Sequence, residues 1–462
     1  MSKFTIEEIV GATSGRLLQG RPKAVVRGVS TDTRKITKGQ LFVAIKGDNF
    51  DGNNFTAQAV AAGAAAVVVS RKDVTGAEDI PVILVDDTTK ALGQIARFHR
   101  RRFKIPVIAI TGSAGKTTTK EFIAAVLGKK FKVLFNKGTE NNHVGVPGTL
   151  LQLDKTHKVA VLELGTNHFG EISWLAEIAE PTVAVFTNIG ASHLAGLGDP
   201  QGVLREKSAL IDFLPKKGTV ILNADDPLLL RIRARKLSQK VITYAIDHAA
   251  DVKITAVKAE RGGLNLTLTS GEKIHLKTPV WGNILNALAA TACGRLFRIS
   301  FADIRSAILA TKAARGRQCF HSVGGVTVID DTYNANPVSF KNALRTLSLI
   351  PRKGRAFVLG ADMLELGDRS EELHAEVGQA AAQSGVDHLW TVGRWAGLIG
   401  ARAAEINPLV KARHFIKRED ILPALAAEVR PGDVVLAKGS RGMKMETVVE
   451  GLVEFLDRKG VR

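Results

Sequence analysis

The sequence predicts an α/β protein in three domains, and three observations carry that expectation. The chain has 462 residues, more than one ordinary hydrophobic core accommodates. From about residue 105 onward, apolar runs alternate with helical sequence, the pattern of a mostly parallel sheet covered on both faces. A second alternation starts near Ala314 and sets a third unit apart. The expected domains are 1–86, 87–313 and 314–462.

The first block mixes the β-like runs LFVAI (41–45), AAVVVS (65–70) and VILVDD (82–87) with a small-residue helix around Ala57 to Ala62. A helical stretch from about Thr89 to Arg102 leads into IPVIAI (105–110), a continuous apolar run of buried-strand type. KTTTKEFIAAVLG (116–128) places Phe122, Ile123, Val126 and Leu127 on one face and stops at Gly128, so it reads as a helix. The next strands are VAVLEL (159–164), VAVFTN (183–188) and TVILNAD (219–225). Residues 251–278 read as short alternating strands with a turn at Gly262-Gly263, followed by the helix GNILNALAATACGRL (282–296). The third unit offers the strands VTVIDD (326–331), RAFVLG (355–360), HLWTVG (388–393) and DVVLAKG (433–439). The sequence has neither an internal repeat nor a low-complexity linker, so short hinges are expected between domains.

Composition narrows the class. Apolar residues are 45% and charged residues 24% of the chain, an ordinary globular balance. No run approaches the roughly 20 apolar residues of a membrane span, and MSKFTIEEIV lacks a basic region followed by an apolar one. No membrane span, no secretory signal and a cytoplasmic location are therefore expected. Cys293 and Cys319 have no metal-ligand spacing and read as buried free thiols. The formal charge is +19, from 64 basic against 45 acidic residues. The densest basic clusters, RFHRRRFK (97–104) and RIRARK (231–236), form no stacking platform of aromatics and read as solvated helix faces. No nucleic-acid partner is expected, because an anionic nucleotide substrate is enough to make a basic cleft useful.

The strongest motif is TGSAGKTTT (111–119), set between an apolar strand and an amphipathic helix. Gly112, Ser113, Ala114, Gly115 and Thr118 form a loop whose N–H groups can approach phosphates closely, and the helix dipole favours the anion. Lys116 would neutralise the terminal phosphates, and the Thr117 hydroxyl suits Mg²⁺. The common GxxxxGK[ST] spacing wants glycine at 110, where Ile110 stands, so this is a shortened variant. The loop predicts an ATP-using enzyme with a mononucleotide-binding central domain. A GTPase switch fits poorly, since VAVLELG supplies Glu163 where an aspartate is wanted and FNKGT (135–139) lacks the acid of a guanine reader.

Further polar clusters sit at strand ends, where open α/β sheets place their ligand groups: ENNHVGVP (140–147), ELGTNHFGEI (163–172), TNIGASHL (187–194), DDTYNANP (330–337) and KGSRG (438–442). Glu163 and His193 form a plausible hard-cation pair with Thr117. Lys207, in VLREKSALID, reads by residue counting as a surface helix lysine.

The ordered set TGSAGKTT, ENNHVGVP, ELGTNHFGEI, TNIGASHL, NILNA (283–287), ARGR (314–317), DDTYNANP and KGSR resembles the bacterial Mur ligases over nearly the whole chain. DDTYNANPVSF (330–340) and GADMLELGDRSEELH (360–374) are similar to the member that adds D-alanyl-D-alanine. GVSTDTR (28–34), LFVAIKG (41–47) and DGNNF (51–55) resemble that member's uridine-nucleotide-binding segment, and the DNPR motif of the diaminopimelate-adding relative is absent.

The resemblance implies a small N-terminal α/β domain holding the uridine nucleotide, a central ATP domain and a Rossmann-like C-terminal domain receiving the dipeptide. It implies catalytic roles for Lys116, Lys207, His193 and Asn142, with Asn142 positioning the γ-phosphate. Thr117, Glu163, His193 and a carbamylated Lys207 would serve magnesium, expected as two ions. A carbamate is anionic, which reverses the reading of Lys207 as a surface lysine. Asn283 and Asn286 would contact adenine, while Arg317 and Asp331 would clamp the nucleotide. Ser30, Asp32, Arg34 and Lys46 would bind the uridine diphosphate end, and Tyr333, Asn334 and Asn336 the incoming dipeptide. The implied partners are UDP-N-acetylmuramoyl-tripeptide and D-Ala-D-Ala, with a monomeric enzyme. Two positions depart from the pattern: Gly282 precedes the Asn283/Asn286 pair where histidine is usual, and Asn53 replaces the histidine of DGH. A member adding a single amino acid stays open. A non-catalytic nucleotide-binding regulator is the rival from another class, and retention of Lys116, Glu163, His193 and Lys207 counts against it.

Overall fold

The computed structural model describes residues 2–47, 50–260 and 262–460. Three α/β units follow one another, each built around its own sheet. The N-terminal unit opens with helix Ile6–Thr13, whose start is set by a reciprocal capping box between Thr5 and Glu8. Its sheet places Val82–Leu84 and Ala66–Val69 beside Leu41–Val43, the three apolar runs that the sequence offers. These three strands pair in parallel, with Arg16–Gln19 antiparallel at one edge and Val29–Ser30 parallel at the other. Asn53 is buried here. Its side chain donates to Asp51 Oδ1 and Ser70 Oγ and accepts from the Ser70 N–H, so both its donors and its oxygen serve the fold.

Helix Thr88–Arg100 begins at Asp87, whose carboxylate accepts from the N–H groups of Thr89 and Lys90. The basic run at its end is not a merely solvated face, as the sequence suggested. Arg97 and Arg101 pair with Glu180, Arg102 pairs with Glu8 and lies over the Phe4 and Phe98 rings, and Arg100 is buried on backbone carbonyls. The excess charge is thus partly spent on joining this helix to its neighbours.

His99 is buried on the same helix, against Phe4 and Phe103, with Nε2 on the Leu153 carbonyl at 2.9 Å. Burial lowers its pKa from the ordinary 6.5. His374 and His388 are lowered for the same reason. The unfolded chain therefore takes up protons first as pH falls below about 6.5, and stability declines in that window. A melting-temperature series from about pH 7.5 to about 5.5 should show this decline, shallower for His99→Gln than for the parent. Equal slopes would refute the contribution of His99.

The central sheet has nine strands among the described residues. Its parallel part runs in the order Val252–Glu260, Lys240–Ala245, Thr219–Asn223, Val183–Phe186, Val107–Thr111, Val159–Glu163, Val133–Phe135. The hairpin strands Gly263–Leu268 and Lys273–Leu276 extend it antiparallel, as the alternation in 251–278 predicts. After Val107–Thr111 the chain first crosses to one side and then returns to build the other. The strand order thus reverses at its carboxyl end, where open α/β sheets bind ligands. Helix Lys116–Gly128 packs over that strand and helix Gly282–Leu296 over the neighbouring Thr219–Asn223 and Lys240–Ala245, in one apolar cluster that includes Ile123, Val126, Ile284 and Leu288.

The C-terminal sheet runs Cys319–Val323, Val326–Asp331, Val434–Lys438, Ala356–Ala361, His388–Val392, Lys411–Phe415, antiparallel only at the first pair. Its order also reverses beside Val434–Lys438, so Asp331 and Lys438 end adjacent strands at the crevice. Cys293 is buried, its thiol pushed up to about 12. Cys319 is only half-buried, contrary to expectation, because it starts an edge strand. No helix among the described residues is long and apolar enough to cross a membrane.

Candidate active site

A cleft of about 1030 Å³ lies between the central and C-terminal sheets, with the glycine loop as its floor. Gly112 (φ 147°) has its backbone against Thr187, where a side chain would collide with the hydroxyl. Gly115 (φ 82°) starts helix Lys116–Gly128, and a Cβ there would meet Asn286 Oδ1 at 2.7 Å. The end of the adjacent strand Val183–Phe186 braces the loop. The N–H groups of Ser113 and Ala114 donate to Asn188, and the Thr187 hydroxyl donates to the Ala114 carbonyl at 2.6 Å. The N–H groups of the first helical turn have no intrahelical partner, and residues 115–118 line the cleft. Lys116 Nζ donates back to the Gly112 carbonyl at 2.8 Å, and burial lowers its pKa while the Glu163 charge raises it.

Six buried side-chain N or O atoms lack a hydrogen-bond partner among the described residues, and three of them are Thr117 Oγ1, Glu163 Oε2 and Lys207 Nζ. Each such burial costs about 1–3 kcal/mol unless a ligand compensates. The first two are hard oxygen donors, which suits a magnesium ion beside phosphates. Asn141 holds the other Glu163 oxygen at 2.7 Å, fixing the carboxylate. Lys207, on helix Pro200–Ser208, is wholly buried, which overturns its reading as a surface lysine. Burial and the Lys116 charge hold its amine well below the ordinary lysine pKa, so the neutral form is favoured. His193, half-buried at the head of the short helix Leu194–Leu197, lines the same cleft.

The C-terminal unit forms the other wall and touches the loop directly. Asn336 caps helix Pro337–Ser348 and donates from Nδ2 to the Ser113 carbonyl at 3.1 Å. Tyr333 donates to Thr139 Oγ1 at 2.7 Å, and Arg317 stacks on its ring. Lys438 is buried against Asp331 at 2.8 Å and also donates to the Asn334 carbonyl. Asn286 accepts from the Thr119 hydroxyl and donates to Asn283 Oδ1. Arg345 lies over the Trp281 ring at 3.4 Å, next to Gly282.

Comparison with known proteins gives the ancestry. The model described as Mur ligase family, catalytic domain, matches residues 25–100; Mur ligase middle domain matches 110–294, and Mur ligase, glutamate ligase domain, matches 316–441. The chain belongs to the Mur ligase family. Among Mur ligases it is 36% identical to the UDP-N-acetylmuramoyl-tripeptide–D-alanyl-D-alanine ligases of Bacillus subtilis and Escherichia coli, in each case over 98% of this chain and 99% of the relative. A crystal structure of MurF from Acinetobacter baumannii superposes with a TM-score of 0.89 at 33% identity, covering 98% of this chain and 99% of that one. The MurF ligase from Thermotoga maritima in complex with ADP gives 0.84 at 28% identity, covering 94% and 99%. The three-domain Mur ligase fold is therefore the fold of this chain.

Most residues singled out from the sequence meet in the one cleft: Gly112 and the fully buried Lys207 excepted, the loop from Ser113 to Thr118, with Asn142, Glu163, His193, Asn283, Asn286, Arg317, Asp331, Tyr333, Asn334 and Asn336, line it. Asn142 Oδ1 accepts from the Val144 and Gly145 N–H groups, so it also holds the turn that leads into helix Gly145–Leu150. Ser30, Asp32, Arg34 and Lys46 do not line this cleft; they lie on the N-terminal unit. There Arg34 pairs with Asp32 and lowers its carboxyl to about 2. Sequence reasoning named no role for Asn141, Thr187, Asn188 or Glu365. All four lie in stretches already quoted, Glu365 in GADMLELGDRSEELH (360–374), and polar character in the segments that follow strands was their only signal.

Proposed function

We propose that this Mur ligase uses ATP to join D-alanyl-D-alanine to UDP-N-acetylmuramoyl-tripeptide in peptidoglycan precursor synthesis. The observation that carries the reading is one cleft in which a phosphate loop and the orphaned Thr117 and Glu163 oxygens face the strand ends of a second α/β domain. The near full-length relatives named for this activity support the choice of substrates.

A carboxylate resists amines because its leaving group is poor. Phosphorylation by ATP would supply a good one, and the dipeptide amine would then attack the acyl phosphate. Lys116 and the N–H groups at the helix start would hold the β- and γ-phosphates and stabilise charge on the transferring phosphoryl group. Thr117, Glu163 and His193 would hold magnesium, which supplies charge neutralisation on the phosphoryl oxygens. Lys207 would serve the same site as a carbamate, formed when its neutral amine takes up carbon dioxide and loses a proton. Asn283 and Asn286 would contact the base, with Arg317 and Asp331 on the nucleotide from the opposite wall. Tyr333, Asn334 and Asn336 would lie beside the dipeptide, while Ser30, Asp32, Arg34 and Lys46 would take the uridine diphosphate end. Contact between the two walls would keep water from the acyl phosphate. The domain division into 1–86, 87–313 and 314–462 follows these three tasks.

The test is a panel of amines offered with the uridine-linked tripeptide and ATP, with products read by mass. D-Ala-D-Ala is expected to exceed every single amino acid by at least about 10²-fold in kcat/KM, since the second residue carries binding contacts that a single amino acid leaves unmade. Preference for any single amino acid would overturn the proposal in favour of another Mur-type ligation. Absence of phosphate release with all substrates present would point to a nucleotide-binding regulator.

A further inference from the structure

The ring of His193 meets a carboxylate from the other wall of the cleft: Nδ1 lies 2.5 Å from Glu365 Oε2. A second bond crosses at the same place, from the Ala195 N–H to the Glu365 carbonyl at 3.2 Å. Both residues adopt left-handed backbone conformations, His193 at φ 55° and Glu365 at φ 63°. Glutamate seldom takes this region and histidine does so only more often than most side chains, so Glu365 in particular is held there by its surroundings. On one side, the His193 carbonyl accepts from Gly196 and Leu197. On the other, the loop carrying Glu365 is anchored residue by residue. The Asp362 carbonyl accepts from Ser440, Met363 N–H donates to His374 Nε2, Leu364 N–H donates to Ser440 Oγ, and the Met363 and Leu366 side chains are buried. Glu365 is thus presented by a fixed segment of the C-terminal domain to a histidine of the central domain.

From this geometry we infer that Glu365 is a positioning residue, which orients His193 for cation binding only when the C-terminal domain is packed against the central one. A carboxylate can only accept, so Nδ1 must carry the proton and donate. The Nε2 lone pair is then the one the ring offers a cation. Carboxylate partners of this kind fix the tautomer and ring orientation of metal-binding histidines. The unusual part is that the partner comes from a different domain, which ties completion of the cation site to the arrangement that also brings Arg317 and Tyr333 over the loop. The inference rests on the proposed role of His193.

The test uses the full-length enzyme with Mn²⁺ as probe and a non-hydrolysable ATP analogue bound, Mn²⁺ occupancy being read by electron paramagnetic resonance. Glu365→Ala should weaken Mn²⁺ binding by about 10-fold or more and lower kcat by a similar factor, with the KM for ATP within about twofold. Glu365→Gln, whose amide oxygen still accepts from Nδ1, should stay within about threefold of the parent. Protein labelled with ¹⁵N-histidine adds a readout without metal: the Nδ1–H tautomer of His193 should dominate in the parent and give way to a mixture in Glu365→Ala. Unchanged Mn²⁺ affinity in folded Glu365→Ala would overturn the inference. His193→Ala, measured alongside, separates the two failures. If it weakens Mn²⁺ binding while Glu365→Ala does not, only the positioning role falls; if neither does, the role of His193 as a cation ligand falls with it.

Discussion

Lys116→Ala is expected to reduce ATP-dependent ligation by about 10³-fold or more, measured as phosphate release with both acceptor substrates present. The side chain is a single cation at the start of helix Lys116–Gly128, and its Nζ lies 2.8 Å from the Gly112 carbonyl, inside the loop that would wrap the phosphates. Phosphoryl transfer gathers negative charge on oxygens that the half-buried site shields from water, so a fixed positive charge there counts for more than it would in solvent. Desolvation pulls the Lys116 pKa down and the Glu163 carboxylate pulls it up, and added phosphates would favour the charged form further. Alanine is also the better helix former at this position, so the melting temperature should not fall. The loss is therefore expected in chemistry rather than in folding. Near-normal ligation by Lys116→Ala would refute the assignment of the loop.

The second large effect is expected at Lys207. Lys207→Met should keep the fold, because methionine is of similar length and relieves the burial of an unpartnered amine. Its kcat should nevertheless fall by about 10²-fold or more if the side chain works as a carbamate in the cation site. Burial and the neighbouring Lys116 charge favour the neutral amine, which is the form that reacts with carbon dioxide. The sign follows: a lowered pKa lets the carbamate form nearer neutral pH than an exposed lysine would. In ¹³C-bicarbonate, the parent should show a carbamate carbonyl resonance that Lys207→Arg lacks. Full activity in Lys207→Met, or the same resonance in Lys207→Arg, would remove the carbamate from the mechanism.

Much of the fold was legible because buried parallel strands are continuous apolar runs. Val107–Thr111, Val183–Phe186 and Val434–Lys438 are buried along their whole length and stand out in sequence for that reason. Lys411–Phe415 was not foreseen, since an edge strand mostly exposed to water has no need of such a run. Lys240–Ala245 was passed over because its first half is only partly covered. The opening helix Ile6–Thr13 did carry a signal, the Thr5/Glu8 capping box, and could have been placed from it.

The phosphate loop needed nothing beyond the sequence. Its glycines, lysine and threonines are contiguous, and a contiguous motif between a buried strand and a helix can be read without long-range information. The polar groups around it were legible as clusters at strand ends but not as partners, because hydrogen bonds between residues far apart in the chain have no local pattern. Only the tertiary structure decided that Asn141 holds Glu163, that Asn188 braces the loop, and that Glu365 reaches His193 across a domain boundary. The same holds for Lys207. Lys207 reads as a surface helix lysine until the neighbouring helices close over it, and burial is a property of the whole packing rather than of the residue.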